Sequence, residues 1–254
     1  MNSMQPSLLH MLSPLLITGF IIAVTLFIAS CKNRKKAVRT EAIKAFAQEF
    51  KAQYQNHYDK VFEEGIDCEF FYSQDSNEFA NILKLEDTSN GTVFIGDWVT
   101  SVVSGDAVTK ANHISNEDSL MKSLCSKNLT MGVIFDEHMN LPEFALWPET
   151  LGVRMNEVIK LNTTEDIDYD DDKEFSDMWW LCSRKDNQKV REIFSNSQLR
   201  QECMKFGHRK YRMAGFGKHL ILVSHEALKP SEYSEFLNYL REWQNIVSAS
   251  IAGQ

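Results

Sequence analysis

The sequence predicts an α+β fold: a single N-terminal transmembrane helix, an amphipathic juxtamembrane helix, and a mostly antiparallel sheet domain that a C-terminal helix covers. Three observations predict it. The first 31 of the 254 residues contain no Asp, Glu, Lys or Arg. An apolar repeat at helical spacing then runs from Ile43 to Phe62. Short apolar segments separated by turn residues fill most of the remaining chain, before a last helical repeat.

The opening apolar segment is long enough to cross a bilayer. A helix rises about 1.5 Å per residue, so residues 15–31 would span roughly 25 Å of a hydrocarbon core about 30 Å thick. Pro14 fits the first turn of a helix that starts at Ser13, because an N–H group is not needed there. We therefore predict a short lead over residues 1–13 and a transmembrane helix over 14–31.

A basic cluster follows the apolar segment directly, and we expect it to contact anionic headgroups of the bilayer. Its members are Lys32, Arg34, Lys35, Lys36 and Arg39. Because positive charge stays on the cytoplasmic side of a membrane, the cluster predicts a single-pass protein of the cell (inner) membrane, with its N-terminus outside and its C-terminal domain in the cytoplasm.

The charge changes sign along the chain. Residues 1–60 hold eight Lys or Arg against three acidic residues, a net charge of +5, whereas residues 61–254 hold 19 basic and 32 acidic residues, a net charge of −13. Nucleic acid would repel so acidic a domain, so we expect no nucleic-acid partner.

Two other readings of the apolar segment stay open. A cleaved secretory signal would need a basic n-region, which this chain lacks apart from His10. A lipoprotein signal has more support, because Ile28–Cys31 resembles a lipobox in which Cys31 becomes the lipidated residue.

The juxtamembrane segment carries apolar and aromatic residues in steps of three and four: Ile43, Phe46, Ala47, Phe50, Tyr54, His57, Tyr58, Val61 and Phe62. We assign residues 32–64 to the basic cluster and this amphipathic helix, and residues 65–254 to the acidic α+β domain. The helical face could pack on the domain or pair with its copy in a homo-oligomer.

The acidic domain is expected to mix strands and helices. Predicted strands are Cys68–Tyr72, Thr92–Ile95, Asp97–Val103, Leu129–Phe135 and Trp179–Ser183, with a proline-marked loop containing Pro142 and Pro148. Predicted helices carry Val190, Ile193 and Phe194 after an Asp186 cap, and Leu199, Cys203 and Met204. A hairpin should join Arg209–Ala214 to His219–Ser224 through Gly215–Gly217, and the last helix should begin near Pro230 and bury Tyr233, Phe236, Leu237, Leu240, Trp243 and Val247.

Motifs that would assign a reaction are missing from the sequence. Seven acidic residues between Glu165 and Glu174 lack the glycine and the final glutamate of an EF-hand loop, so a solvated loop is the better interpretation. Cysteines show no metal-ligand spacing, and we expect Cys182 and Cys203 to be reduced and buried. We expect no cofactor and no metal.

Trp147 is the best candidate for an exposed partner contact, because it follows Leu146 and precedes Pro148 in the predicted loop. With Leu141–Glu149, Asp166–Tyr169, Val190–Phe194 and Leu220–Val223, the chain resembles, over about residues 92–245, a loose set of bacterial membrane-anchored proteins of uncharacterised function. That resemblance implies a small membrane-tethered α+β domain and carries over no ligand or catalytic residue.

We therefore expect a non-enzymatic interaction or assembly module. The alternatives are a membrane-anchored enzyme, hydrolytic and with a site assembled around His138 or His219 and a carboxylate, or a lipoprotein lipidated at Cys31.

Overall fold

The computed structural model describes residues 8–57, 77–87, 91–101, 126–148, 165–183, 187–207 and 211–252. The predicted strand Cys68–Tyr72 lies outside these residues. The chain divides into two compact units, Met1–Ala45 and Phe46–Gln254.

Helix α1 (Leu8–Glu49) makes up the described part of the first unit as far as Ala45, and its last four residues belong to the second unit. Among the described residues, no helix combines the length and the apolarity that a membrane crossing requires.

Helix α1 ends earlier than its apolar repeat predicts. The N–H of Ala52 donates to the carbonyl of Ala47 at 2.8 Å and the N–H of Lys51 to that of Gln48 at 3.4 Å, the pattern of a Schellman motif with Lys51 in the left-handed region at φ +53°. The prediction of one helix through residue 64 is wrong, because residues 53–57 form a strand.

The second unit is built on a sheet with nine described strands. They are β1 (Gln53–His57), β2 (Asn77–Asp87), β3 (Gly91–Ser101), β4 (Ser126–Phe135), β5 (Leu141–Pro148), β6 (Glu165–Asp166), β7 (Trp179–Ser183), β8 (Arg212–Gly217) and β9 (His219–Val223). Their order is β1-β2-β3-β4-β9-β8-β5-β7-β6, and every described pair is antiparallel. The mixed α+β class with an antiparallel sheet is confirmed.

Helices cover one face of this sheet. They are α2 (Lys173–Met178), α3 (Asn187–Phe194), α4 (Ser197–Gly207) and α5 (Tyr233–Ala252), which follows a 3-10 turn over Pro230–Glu232. Gly132 of β4 marks the covered face, because a Cβ there would lie 2.7 Å from Leu240 and 2.9 Å from Phe236 of α5. Phe194 of α3 meets Phe144 of β5 edge-on, with ring centroids 5.2 Å apart. The predicted C-terminal helix and its buried face are confirmed.

The opposite face is also apolar. Since side chains alternate along a strand, the neighbours of Gly132 point away from α5. They belong to a buried cluster that runs across the sheet: Ile82, Phe94, Trp98, Leu129, Met131, Val133, Ala145, Trp147, Trp180, Cys182, Ala214, Ile221 and Val223.

Two predicted connections differ from the structure. Pro142 and Pro148 belong to strand β5 rather than to a loop, since Pro142 lies in the register shift between Leu141 and Phe144, and Pro148 is the last strand residue. The β8–β9 hairpin turns through Gly217 and Lys218 and not through a three-residue connection, because Phe216 still pairs with His219.

Candidate functional site

Helix α1 presents large apolar side chains to its surroundings. Phe20 and Phe27 are each 70% exposed and Leu26 is 65% exposed, with Ile22, Val24 and Ile28 exposed as well. At 100° per residue, these six positions, which we call the apolar band, point to nearly all sides of the helix. Thr18, Thr25 and Ser30 are exposed on the same stretch, so the helix surface there is mostly but not wholly apolar.

The predicted basic cluster follows the apolar band on the same helix. Lys32, Arg34, Lys35 and Lys36 are exposed and Arg39 is half-buried. Cys31, the predicted lipidation site, is exposed and free, and the helix continues through it without a break. The sequence-predicted membrane contacts therefore lie together on α1, next to the band.

Trp147 does not lie where the sequence predicts. It belongs to strand β5 and is buried, its ring meets that of Trp180 edge-on at 5.4 Å, and the Arg212 guanidinium lies 5.2 Å from its ring centroid. The prediction of an exposed loop residue is wrong, because Trp147 faces the buried cluster on the side of the sheet away from the helices.

The two histidines proposed for a hydrolytic site lie in different surroundings. His138 is exposed in the turn after β4, where its N–H donates to Asp136 Oδ1 at 2.9 Å. The His219 ring stacks on Phe216 at 4.8 Å and lies 5.2 Å from the Phe135 ring, and burial lowers its pKa. Within the described residues, no group of three or more His, Cys, Asp or Glu side chains could hold a metal ion.

A buried arginine organises the acidic segment, which the sequence alone left as a solvated loop. Arg200 of α4 has a side chain only 2% exposed, and its Nε and Nη2 donate to Asp172 at 2.8 Å and Asp171 at 3.0 Å. Its Nη1 donates to the carbonyl of Phe194 at 2.8 Å, and its guanidinium lies 4.5 Å from the ring centroid of Tyr169. Burial raises the pKa of Tyr169 to about 12, although the charge of Arg200 opposes the shift.

The only sequence signal for this arrangement was the position of Arg200 one turn before Cys203, on the apolar face of a helix. The partners lie 28 and 29 residues earlier in the chain. Arg200 thus holds the acidic segment in place, because its guanidinium pairs with the carboxylates of Asp171 and Asp172.

A second buried polar group joins the sheet edge to the C-terminal helix. Tyr54 Oη of β1 donates to Asn81 Oδ1 of β2 at 2.9 Å, and Asn81 Nδ2 donates to Asp97 Oδ2 of β3 at 2.9 Å. Tyr233 Oη of α5 donates to Asp97 Oδ1 at 3.3 Å. Asn81 and Asp97 are both buried, and Asn81 holds φ +53° in a register shift of β2. We call these four side chains the edge network.

Comparison with known proteins gives one informative likeness. Neither a protein-family model nor a curated protein matches the chain. Among solved structures, the mycobacterial trehalose monomycolate transport factor A, TtfA, is similar with a TM-score of 0.52 and 10% sequence identity, over 82% of this chain and 94% of that one. At this identity the likeness shows a shared fold.

Proposed function

We propose that this chain is a membrane-attached, non-catalytic factor whose α+β domain acts in transport or assembly at the inner face of the cell membrane. The apolar band of α1 carries the proposal. Burying a Phe, Leu, Ile or Val side chain in an apolar medium contributes about 1.5–3 kcal/mol, and the band offers six such side chains. Insertion of residues 14–31 into lipid would remove them from water.

Orientation rests on the basic cluster. Each Lys or Arg near an anionic leaflet contributes about 1 kcal/mol, and such residues stay on the cytoplasmic side. With the cluster inside, the N-terminus lies outside, and the acidic domain lies in the cytoplasm.

The shared fold supports the choice of role. TtfA is described as a transport factor, and its fold extends over most of both chains. A transport or assembly role uses a folded domain held at a membrane and needs no catalytic group.

Lipidation at Cys31 is a second candidate, favoured by its exposed thiol. The basic cluster directly after Cys31 favours an uncleaved span instead, since positive charge tends to stay on the cytoplasmic side of the membrane. Growth with a labelled fatty acid distinguishes the two. We expect no label on the full chain, and a label that disappears in Cys31→Ser would establish the lipoprotein.

Attachment is tested by placing charge in the apolar band. An arginine at the centre of an inserted helix costs about 3 kcal/mol, so Ile22→Arg with Leu26→Arg would cost about 6 kcal/mol on one helical face. The matched control is Val38→Arg, because Val38 is 65% exposed, as Leu26 is, but follows the basic cluster.

The full chain, the double variant and the control are expressed in a bacterium, and carbonate-washed membranes are probed for each. The full chain and Val38→Arg should remain in the membrane pellet, and the double variant should be lost from it. Retention of the double variant, or loss of all three proteins, would contradict the proposal.

The assembly role has its own test. Cross-linking in intact membranes, followed by purification through a tag at Gln254, should recover a second copy or another membrane protein. Recovery of the monomer alone would argue against an assembly role even if attachment is confirmed.

A further inference from the structure

Strand β1 is a short strand at one edge of the described sheet. It has five residues, pairs with β2 on one side, and forms an edge of the described sheet. Its described side chains, Gln53, Tyr54, Gln55 and Asn56, are polar or amphipathic, and none of them is buried. The partner strand differs, since Ile82 and Leu83 of β2 are fully buried. Opening of β1 would therefore expose little apolar surface of its own.

Two residues near β1, Lys51 and Asn81, have the left-handed backbone conformation that favours glycine. Lys51, two residues before β1, has φ +53°, and Asn81, within the stretch of β2 that pairs with β1, also has φ +53°. Side chains with a Cβ are strained in this left-handed region, although asparagine tolerates it better than lysine. Both conformations belong to contacts that β1 does not make, namely the Schellman motif at the end of α1 and the β2–β3 register shift, so they persist when β1 opens.

The edge network acts against this release. Tyr54 is the member that β1 contributes, and its hydroxyl lies 2.9 Å from Asn81 Oδ1, nearer than the 3.2 Å to Asn56 Oδ1 on its own strand. Asn81 in turn donates to Asp97. An ionised carboxylate only accepts hydrogen bonds, and Asp97 has a donor on each oxygen, from Asn81 and from Tyr233. The network thus ties β1 through the sheet to helix α5.

We propose that β1 opens locally as a unit while the rest of the sheet stays folded. The hydrogen bond from the Tyr54 hydroxyl to the edge network holds the strand closed. Opening would separate the backbone N–H and C=O groups of residues 80–84 from their partners in β1 and expose these amides to hydrogen exchange. Local opening of this kind is expected where few buried apolar contacts hold an element. Local opening of β1 does not depend on attachment of the chain to a membrane.

Hydrogen exchange on the full chain, read by mass spectrometry, tests the proposal. Tyr54→Phe removes the hydroxyl group and its hydrogen bond, and keeps the aromatic ring. Its matched control is Tyr239→Phe, which removes a hydroxyl that donates to exposed Glu235 on α5 at 3.0 Å. Tyr54→Phe should speed exchange of residues 53–57 and 80–84 about five-fold, the effect of one lost hydrogen bond, and leave β4 unchanged. Tyr239→Phe should change neither segment.

Lys51→Gly is a second control, because the left-handed conformation of Lys51 belongs to the Schellman motif that ends α1 and not to the pairing of β1. Exchange of residues 53–57 in this variant should stay at the rate of the parent chain, whereas Tyr54→Phe speeds it. The proposal would be overturned by exchange of β1 at the same rate as β4 in the parent chain, or by an equal acceleration of β1 and β4 by Tyr54→Phe. Unchanged β1 exchange in Tyr54→Phe would also overturn it.

Discussion

Replacing Arg200 by methionine keeps an unbranched side chain in the same buried space and removes every hydrogen bond of the guanidinium. The bond to the Phe194 carbonyl is buried and the bond to Asp172, which is 22% exposed, is partly buried; both are 2.8 Å. Asp171 is 73% exposed, and its ion pair contributes little because water screens it. Loss of a charged bond and of the donor to a buried carbonyl should lower the free energy of unfolding by about 3 kcal/mol.

Urea unfolding of the full chain, followed by tryptophan fluorescence, measures this change. Thermal unfolding should show the same change as a fall of about 6–12 °C in the melting temperature, since 1 kcal/mol corresponds to about 2–4 °C in a domain of this size. Lys205→Met is the control on the same helix, because the Lys205–Glu202 pair is exposed and should contribute less than about 0.5 kcal/mol. If Arg200→Met were as mild as Lys205→Met, the inference that Arg200 holds the acidic segment would be refuted.

Three further predictions follow from single groups. Burial lowers the pKa of His219, so the unfolded chain binds a proton more readily than the folded protein does. The folded protein should therefore lose stability as pH falls below about 6.5, and His219→Gln should flatten that part of a plot of stability against pH. Burial raises the pKa of the Cys203 thiol, so a maleimide should leave Cys203 unlabelled in the native protein and label it only after unfolding, as mass spectrometry can map. Lys51→Gly should raise the free energy of unfolding by about 1 kcal/mol, whereas Gln48→Gly within the helix should lower it by about the same amount in urea titrations.

Helix α5 shows why part of the fold could be predicted from the sequence. Pro230 marks its start, and a long run of apolar residues at helical spacing, including Phe236 and Trp243, leaves one regular interpretation. Strand Trp179–Ser183 was predictable from a different signal. A short, mostly apolar run is typical of a strand inside a covered sheet, and all five of its residues are buried.

The errors arose where one pattern fits two structures. Phe50 and Tyr54 continue the helical spacing of α1, but the Schellman motif at Lys51 ends the helix, and that backbone geometry has no sequence signal when glycine is not used. In β5, two prolines suggested a loop and hence an exposed Trp147. They are tolerated because one lies at a register shift and the other at the strand end.

The site features could be predicted only where they are local. The apolar segment and the basic cluster occupy consecutive positions, so the sequence shows them directly. Arg200 and the edge network depend on residues far apart in the chain, such as Asp97 and Tyr233, which only the folded sheet brings together. Their polar atoms follow no periodic pattern, and a single sequence does not indicate their pairing.

The central claim is that a membrane holds this chain with its acidic domain in the cytoplasm. The most direct measurement fuses to Gln254 either a reporter active only outside the cytoplasm or a fluorescent reporter that works only inside, and reads both in washed membranes. Fluorescence in the membrane fraction, without activity of the outer reporter, is the predicted result. Activity of the outer reporter alone, or fluorescence confined to the soluble fraction, would contradict the account.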